Sequence, residues 1–192
     1  MPRALALGLV VMLVSACGPK IRHYPELSNR WLFACCNLHF NKRFYASDAN
    51  YSYAPDPIVV PAGTPVFVID DSPAELHLLP EGQNQSLELT FKFGTSRMTA
   101  DQYFHTVLLE SDPREAMART PSEVATAIQE GRLVEGMTKA QAVMARGYPP
   151  FHRTEGIEAD TWTYYENADQ VDVVQFVDGK LATVTRTDAP SR

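Results

Sequence analysis

The chain of 192 residues has only three cysteines, few basic residues and no long apolar segment, and each shortage excludes a class of protein. Three cysteines are too few for a disulfide-stapled scaffold. Lys and Arg number 17 against 23 Asp and Glu, and the net charge of −6 argues against nucleic-acid binding, which needs a positive surface. Low-complexity tracts and helical heptads are also absent. The length fits one large folded domain or two small ones.

None of the common catalytic motifs is present either. The sequence has no H-E-x-x-H, no G-x-S-x-G, no Walker loop and no G-x-G-x-x-G. Its five histidines are scattered, and no two stand at the helical spacing of a metal site: His23, His39, His77, His105 and His152. We therefore expect no enzymatic activity, no cofactor and no metal ion.

What the sequence does contain begins with an export signal. A short basic segment, Met1–Arg3, precedes an apolar run of eleven residues, Ala4–Val14. A run of that length cannot cross about 30 Å of hydrocarbon, which requires roughly 17 to 25 helical residues. It is typical of the apolar region of a secretion signal, and we assign residues 1–16 to a signal peptide.

The next residues, Val14-Ser15-Ala16-Cys17-Gly18, resemble the lipobox of bacterial lipoproteins. The resemblance implies that Cys17 is acylated, with palmitate among the acyl groups, and that residues 17–30 form a lipidated tether. Gly18 rather than Asp after the cysteine implies an outer-membrane location facing the periplasm. A plain signal peptide, with Cys17 incidental, is the alternative.

Residues 31–112 have the pattern of short strands followed by a helix. Apolar runs alternate with turns that contain Pro and Gly, such as Pro61–Pro65, and Ser86–Phe93 alternates strictly between polar and apolar residues. The pattern predicts a small antiparallel β module, SH3-like or a rolled sheet, with an appended helix.

Three capping boxes, each a Thr followed three residues later by Gln or Glu, indicate three helices. The boxes begin at Thr99, Thr120 and Thr138, and each is followed by an apolar stripe at helical spacing. Gly131 and Gly147 are suited to end the second and third helices. The charged, Pro-containing segment 112–119 is the best domain boundary.

The end of the chain returns to β structure. Trp162–Tyr165 is a predicted strand, and Asp178-Gly179 predicts a hairpin between the apolar runs on either side of it. A two-residue turn would place Phe176 and Val173 on different faces of the hairpin. Either both faces are then partly buried or a bulge intervenes. The chain as a whole is predicted to be α+β, with a second module of two helices and three strands over residues 120–188.

Residues 120–187 also carry a set of short motifs in a fixed order. They are Gly136-Met137-Thr138, Gly147-Tyr148-Pro149, Trp162-Thr163-Tyr164 and Phe176-Val177-Asp178-Gly179-Lys180-Leu181. This order resembles the SmpA/OmlA family, also called BamE-like, of small outer-membrane lipoproteins.

The resemblance implies two helices packed on a three-stranded antiparallel sheet. From their residue types we expect Met137, Trp162, Tyr164 and Phe176 to fill the core between the helices and the sheet. It also implies a non-enzymatic role in outer-membrane protein assembly or envelope integrity, with an envelope complex such as the barrel assembly machinery as partner. The segment 31–110 departs from the family, whose members run from the lipid to this module through a short tether.

Cys35, Cys36 and His39 form the one cluster of soft ligands and nucleophiles. A thiol or metal protein built on them is one alternative function. We expect instead that one cysteine packs in the core and the other beneath the sheet edge, and a vicinal disulfide is a further possibility in an oxidising periplasm.

A second cluster is aromatic and basic. The Pro-containing loop 148–160 and the neighbouring strand carry residues of the kind favoured in interfaces, and we predict partner binding through Tyr148, Phe151, Arg153 and Tyr165. The competing interpretation is that the loop only covers one end of the sheet. The module also resembles the repeat of secreted β-lactamase-inhibitor proteins, which would imply an inhibitor or ligand binder that uses an exposed aromatic sheet face.

Overall fold

The computed structural model describes residues 21–50, 57–167 and 169–189. The predicted signal peptide and the acylation site at Cys17 lie outside these ranges. Within them the chain forms β1 (Trp31–Ala34), β2 (Leu38–Phe40), β3 (Tyr45–Ser47), β4 (Ile58–Val60), β5 (Pro65–Ser72), β6 (Glu75–Pro80), β7 (Leu87–Thr90), α1 (Ala100–Val107), β8 (Leu108–Leu109), α2 (Arg114–Met117), α3 (Ser122–Gln129), α4 (Lys139–Arg146), β9 (Thr161–Tyr165), β10 (Gln170–Val177) and β11 (Lys180–Asp188). The predicted α+β fold is confirmed.

The first module is a curled six-stranded sheet with the order β3-β7-β6-β5-β1-β8. Its strands alternate between buried and outward residues, because successive side chains point to opposite faces. Its pairs are antiparallel except for β3 and β7, which run parallel. The predicted module is therefore present, with one parallel edge that its sequence pattern does not indicate.

A separate two-stranded sheet pairs β2 with β4. The apolar run over residues 31–40 is thus split at Cys35–Asn37 into β1 and β2, and these two strands join different sheets. The Pro61–Pro65 turn is present, with Gly63 at φ +77°. It carries the chain from β4 in the small sheet to β5 in the large one rather than closing a hairpin.

Two of the three predicted capping boxes are confirmed. The hydroxyl oxygens of Thr99 and Thr138 each accept a hydrogen bond from the backbone N–H of the residue three positions later. In both cases that residue is a glutamine, whose side-chain oxygen accepts from the Thr N–H. The prediction for Thr120 is wrong. The helix that this box predicts is α3, and it starts at Ser122, one residue later than the box indicates. Its N-cap residue is Pro121, and proline has no side-chain oxygen that could accept a hydrogen bond. The Thr120 hydroxyl instead lies 3.3 Å from the side-chain amide of Gln141.

The second module has the predicted order, with α3 and α4 followed by the antiparallel sheet β11-β10-β9. Asp178 and Gly179 both have positive φ and form the hairpin turn. A bulge after Gln175 resolves the question of the two faces: Gln175 pairs with Thr183, which places Val173 opposite Thr185. Four apolar residues expected in the core are buried there: Met137, Trp162, Tyr164 and Phe176.

The two modules share one hydrophobic core. Asn37, buried between them, donates its side-chain amide to the carbonyls of Ile128 in α3 (2.8 Å) and Ala145 in α4 (3.0 Å). Its own side-chain oxygen accepts from the Ala62 N–H at 3.0 Å. The predicted boundary segment holds the short helix α2. No helix in the described part of the chain is long and apolar enough to span a bilayer.

Candidate functional site

The loop between α4 and β9 begins where Pro149-Pro150 prevents the helix from continuing. It turns back at once, because the N–H groups of Arg153 and Thr154 both donate to the Pro150 carbonyl. The Thr154 hydroxyl then accepts from the Thr163 N–H at 3.1 Å and fixes the loop to β9. The four predicted partner-binding residues are thereby divided between two environments.

Tyr148 and Phe151 face inward. Phe151 is 6% exposed and its ring stacks on that of Tyr148, with 6.4 Å between ring centroids. Burial raises the pKa of the Tyr148 hydroxyl. Phe151 belongs to the core, so a partner could not contact it without opening the loop.

Arg153 and Tyr165 lie at the surface in a row of stacked groups. The Tyr165 hydroxyl accepts from Arg153 Nε at 2.9 Å and is hydrogen-bonded to the His152 ring at 3.0 Å. The His152 ring stacks on Tyr165 and lies 5.3 Å from that of Phe93, over which Lys92 is placed. We call Lys92, Phe93, His152, Arg153 and Tyr165 the ring ridge.

The ring ridge carries positive charge at both ends. Lys92 Nζ lies 5.5 Å from the Phe93 ring centre, and the Arg153 guanidinium lies 5.9 Å from that of Tyr165. Partial burial and the neighbouring Arg153 lower the pKa of His152, so its ring is neutral at neutral pH. The ridge therefore offers flat apolar rings between two cations, a surface suited to aromatic and acidic groups.

A partly buried ion-pair cluster supports one end of the ridge. Arg146, in α4, donates to the Tyr165 carbonyl at 3.2 Å and lies 3.5 Å from Asp172. Arg186 contacts Asp172 through two nitrogens, and Glu166 pairs with both arginines. The bonds between these four side chains fix the end of β9, where Tyr165 projects.

A polar cleft of about 560 Å³ opens beside this cluster. His39 lies at its wall, and burial together with the charge of Arg146 lowers the pKa of His39 to about 4. Arg132 and Glu130 pair with each other on another wall. The cleft thus carries matched charges of both signs.

Cys35 and Cys36 are both buried and are joined in a vicinal disulfide. The expectation of two separately packed thiols is therefore replaced by the disulfide, and in this form neither sulfur is a thiolate. Cys35 also lines a groove of about 390 Å³ with Met144 and Tyr148. Among the described residues, the one group of three that could hold a cation is exposed and lies elsewhere: Glu26, Asp101 and His105.

The outer face of the C-terminal sheet is mainly polar. Its aromatic side chains Trp162, Tyr164 and Phe176 point into the core. The residues that alternate with them are Thr161 and Thr163 in β9 and Gln175 and Val177 in β10, with Tyr165 at the end of β9. An exposed aromatic face on the C-terminal sheet, which an inhibitor of this type would use, is not formed by the described residues of β9, β10 and β11.

The sequence indicated Arg153 and Tyr165 but missed Phe93 and Lys92. Those two belong to the alternating segment 86–93, whose pattern predicts a half-buried strand. The strand ends at Thr90, and Phe93 turns toward His152, 59 positions later. No local pattern marks a contact of that kind. No family model, curated protein or solved structure matches the chain.

Proposed function

We propose that this protein is a lipid-anchored adaptor at the periplasmic face of the outer membrane, non-enzymatic, and that it binds an envelope protein complex through the ring ridge. The observation that carries the proposal is the ridge itself. Stacked rings between two cations, held by hydrogen bonds before any partner arrives, are typical of interface hot spots because little side-chain entropy remains to be lost.

The C-terminal module supports the choice of partner class. Its order of two helices and three antiparallel strands is the order that the SmpA/OmlA resemblance implies, and the barrel assembly machinery is the corresponding candidate complex. The additional β module brings Lys92 and Phe93 to the ridge, so the partner surface would differ from one that contacts the C-terminal module alone.

The lipid supplies the second half of the proposed mechanism. Acyl chains on Cys17 would confine the body to the membrane surface, and this raises its effective concentration toward a neighbouring complex. An individually weak contact at the ridge would then be sufficient for stable association.

The test is crosslinking in intact cells followed by purification from the membrane fraction. Four proteins are compared: wild type, Cys17→Ser, the double variant Arg153→Ala/Tyr165→Ala, and the control Arg43→Ala. The control removes an exposed arginine from the turn between β2 and β3. We expect wild type and the control to recover the same envelope proteins and the other two to lose them. Recovery by Arg153→Ala/Tyr165→Ala at the wild-type level would refute the ridge as the docking surface.

A second candidate function, thiol–disulfide exchange, is favoured by one observation: the vicinal disulfide has Cys35 at the wall of a groove. Titration of free thiols in the folded protein, before and after treatment with a dithiol, tests it. Two thiols that appear with the dithiol and disappear on mixing with an oxidised partner would support exchange. A disulfide that resists reduction in the folded state, with no zinc or copper bound after denaturing reduction and refolding, would remove the thiol and metal functions together.

A further inference from the structure

The outer face of the large sheet is divided into a polar and an apolar half. On the side of β7 its outward residues include Glu88, Thr90 and His77. On the side of β1 and β5 they are apolar, and we call the following six the Trp31 face: Trp31, Phe33, Phe67, Ile69, Leu79 and Leu109. Trp31 is 57% exposed, although an indole of that size is normally covered in a soluble domain.

Five of the six residues are neighbours across the strands, and Ile69 follows Phe67 along β5. Trp31 pairs with Phe67, and their rings lie 5.4 Å apart, while Phe67 pairs with Leu79 on its other side. Phe33 pairs with Leu109 at the edge of the sheet. The face is therefore one continuous apolar surface and not a scatter of single exposed residues.

The described chain begins beside this face. Arg22 donates to the Ile69 carbonyl at 3.2 Å, and the His23 N–H donates to Asp71. Ile21, 77% exposed, is thus held next to the end of β5. Cys17 precedes Ile21 by four residues, and four residues can span at most about 14 Å. Acyl chains on Cys17 would bring the bilayer surface within that distance of the Trp31 face.

We infer that the Trp31 face lies against the lipid bilayer, with the Trp31 indole in the interfacial region where tryptophan is favoured. The inference rests on the proposed acylation of Cys17. It fixes the orientation of the anchored body, because the face nearest the anchor contacts the membrane.

The charges around the face indicate the kind of lipid. Arg22 pairs with Asp70 at 3.3 Å and Arg30 pairs with Glu110 at 3.0 Å, so each of these two cations near the face has an acidic partner. A face without excess positive charge gains little from anionic headgroups. The contact is therefore apolar and suits a zwitterionic surface, and added salt should leave it unchanged.

The two tryptophans of the chain make the inference directly measurable, because Trp162 is fully buried and Trp31 is exposed. The acylated protein is placed in phosphatidylcholine vesicles with brominated acyl chains, and its fluorescence is compared with that in vesicles of ordinary lipid. We expect the brominated lipid to quench wild type and to leave Trp31→Phe nearly unaffected. Acrylamide, a soluble quencher, should reach Trp31 in Cys17→Ser but be several-fold less effective on the vesicle-bound protein.

Two further variants test the face as a surface. Ile69→Asp should restore access of acrylamide to Trp31 on vesicles, whereas Val177→Asp, at an apolar residue 60% exposed in the hairpin of the other sheet, should not. Vesicle-bound wild-type protein whose Trp31 remains fully accessible to acrylamide would overturn the inference and leave the adaptor proposal standing. Failure of wild type to bind vesicles would contradict both. Shielding of Trp31 in Cys17→Ser that rises with protein concentration would assign the face to a second copy of the chain instead.

Discussion

At the scale of single residues, the buried polar groups join the parts of this protein. Asn37, Asp172 and Arg146 each contact groups from more than one element, and each is nearly inaccessible to solvent. A buried polar group that is left without a hydrogen-bond partner destabilises the fold by more than the intact hydrogen bond stabilises it. Single substitutions of buried polar groups are therefore the most informative, and the next two predictions concern Asp172 and the buried His39.

The first prediction concerns Asp172, which pairs with Arg146 and Arg186. Asp172→Ala would leave Arg146 buried beside a single partly exposed carboxylate, Glu166, and we expect a loss of about 3 kcal/mol in the free energy of unfolding. Glu166→Ala should cost less, because Glu166 is more exposed and Asp172 would still pair with both arginines. Urea denaturation of the two variants measures the difference. Equal losses of unfolding free energy in the two variants would show that the buried carboxylate of Asp172 contributes no more than the partly exposed one of Glu166.

The second prediction concerns pH and His39. Its pKa is lowered to about 4 in the folded protein from an ordinary value of 6.5, by burial and by Arg146. Between these two pH values the unfolded chain binds the proton and the folded chain does not. Stability should therefore fall as the pH drops from 6.5 to 4, by about 3 kcal/mol at about 1.4 kcal/mol per pKa unit.

His39→Gln should remove most of that pH dependence. The measurement is the urea midpoint of the two proteins at a series of pH values. A His39→Gln variant with the same slope as wild type would show that His39 binds its proton equally well in the folded and the unfolded chain.

At the scale of elements, most local signals are confirmed, with Thr120 the exception, whereas the long-range strand pairings could not be predicted. Some features depend only on residues within a few positions of one another, and these can be predicted from the local sequence. They are the capping boxes at Thr99 and Thr138 and the Asp178-Gly179 turn. The pairing of β2 with β4 and the parallel pair β3 and β7 depend on which strands meet in space. A strand pattern shows which face is apolar but does not identify the neighbour.

The capping boxes give the third prediction. Thr138→Ala should reduce the free energy of unfolding by about 1 kcal/mol, since it leaves the Gln141 N–H at the start of α4 without its acceptor. Thr120→Ala should cost less than about half of that, because its hydroxyl caps no helix and takes part only in a long bond to Gln141. Thermal unfolding of the pair checks the order. A larger loss of stability in Thr120→Ala than in Thr138→Ala would mean that α3 begins before Ser122.

The candidate site illustrates the same limit. The loop 148–160 could be predicted to differ from a regular element because of its prolines, and Arg153 and Tyr165 do lie at the surface. Phe151 could not be separated from them by composition, since an aromatic residue in a loop serves either as an anchor or as a core residue. Its burial depends on the Thr154–Thr163 bond and on the packing of Tyr148, which no local pattern records.

At the scale of the whole molecule, the two modules predicted from sequence share a core and are connected through Asn37. We therefore predict that residues 31–188 unfold in one transition although the motifs suggest two domains. Trp31 lies in the first module and Trp162 in the second. In Trp31→Phe the remaining tryptophan fluorescence comes from Trp162 and reports on the second module, whereas far-ultraviolet circular dichroism reports on all helices and strands. The two urea curves should coincide.

Asn37→Asp should shift both curves together to lower urea, because a carboxylate cannot donate to the carbonyls of Ile128 and Ala145. Asn41→Asp, at a turn residue whose side chain accepts bonds but bridges no modules, is the matched control and should shift them little. Curves that separate in the wild type would indicate two independently folding domains.

The proposed adaptor function depends on the ring ridge as the surface that binds a partner at the membrane. The most direct measurement places a photoreactive amino acid at position 152, within the ridge, and at position 43, outside it, in the acylated protein in living cells. We predict a defined adduct with one envelope protein from position 152, absent from position 43 and lost with Cys17→Ser. The same adducts from both positions, or none from position 152 while the protein is in the membrane, would contradict the account.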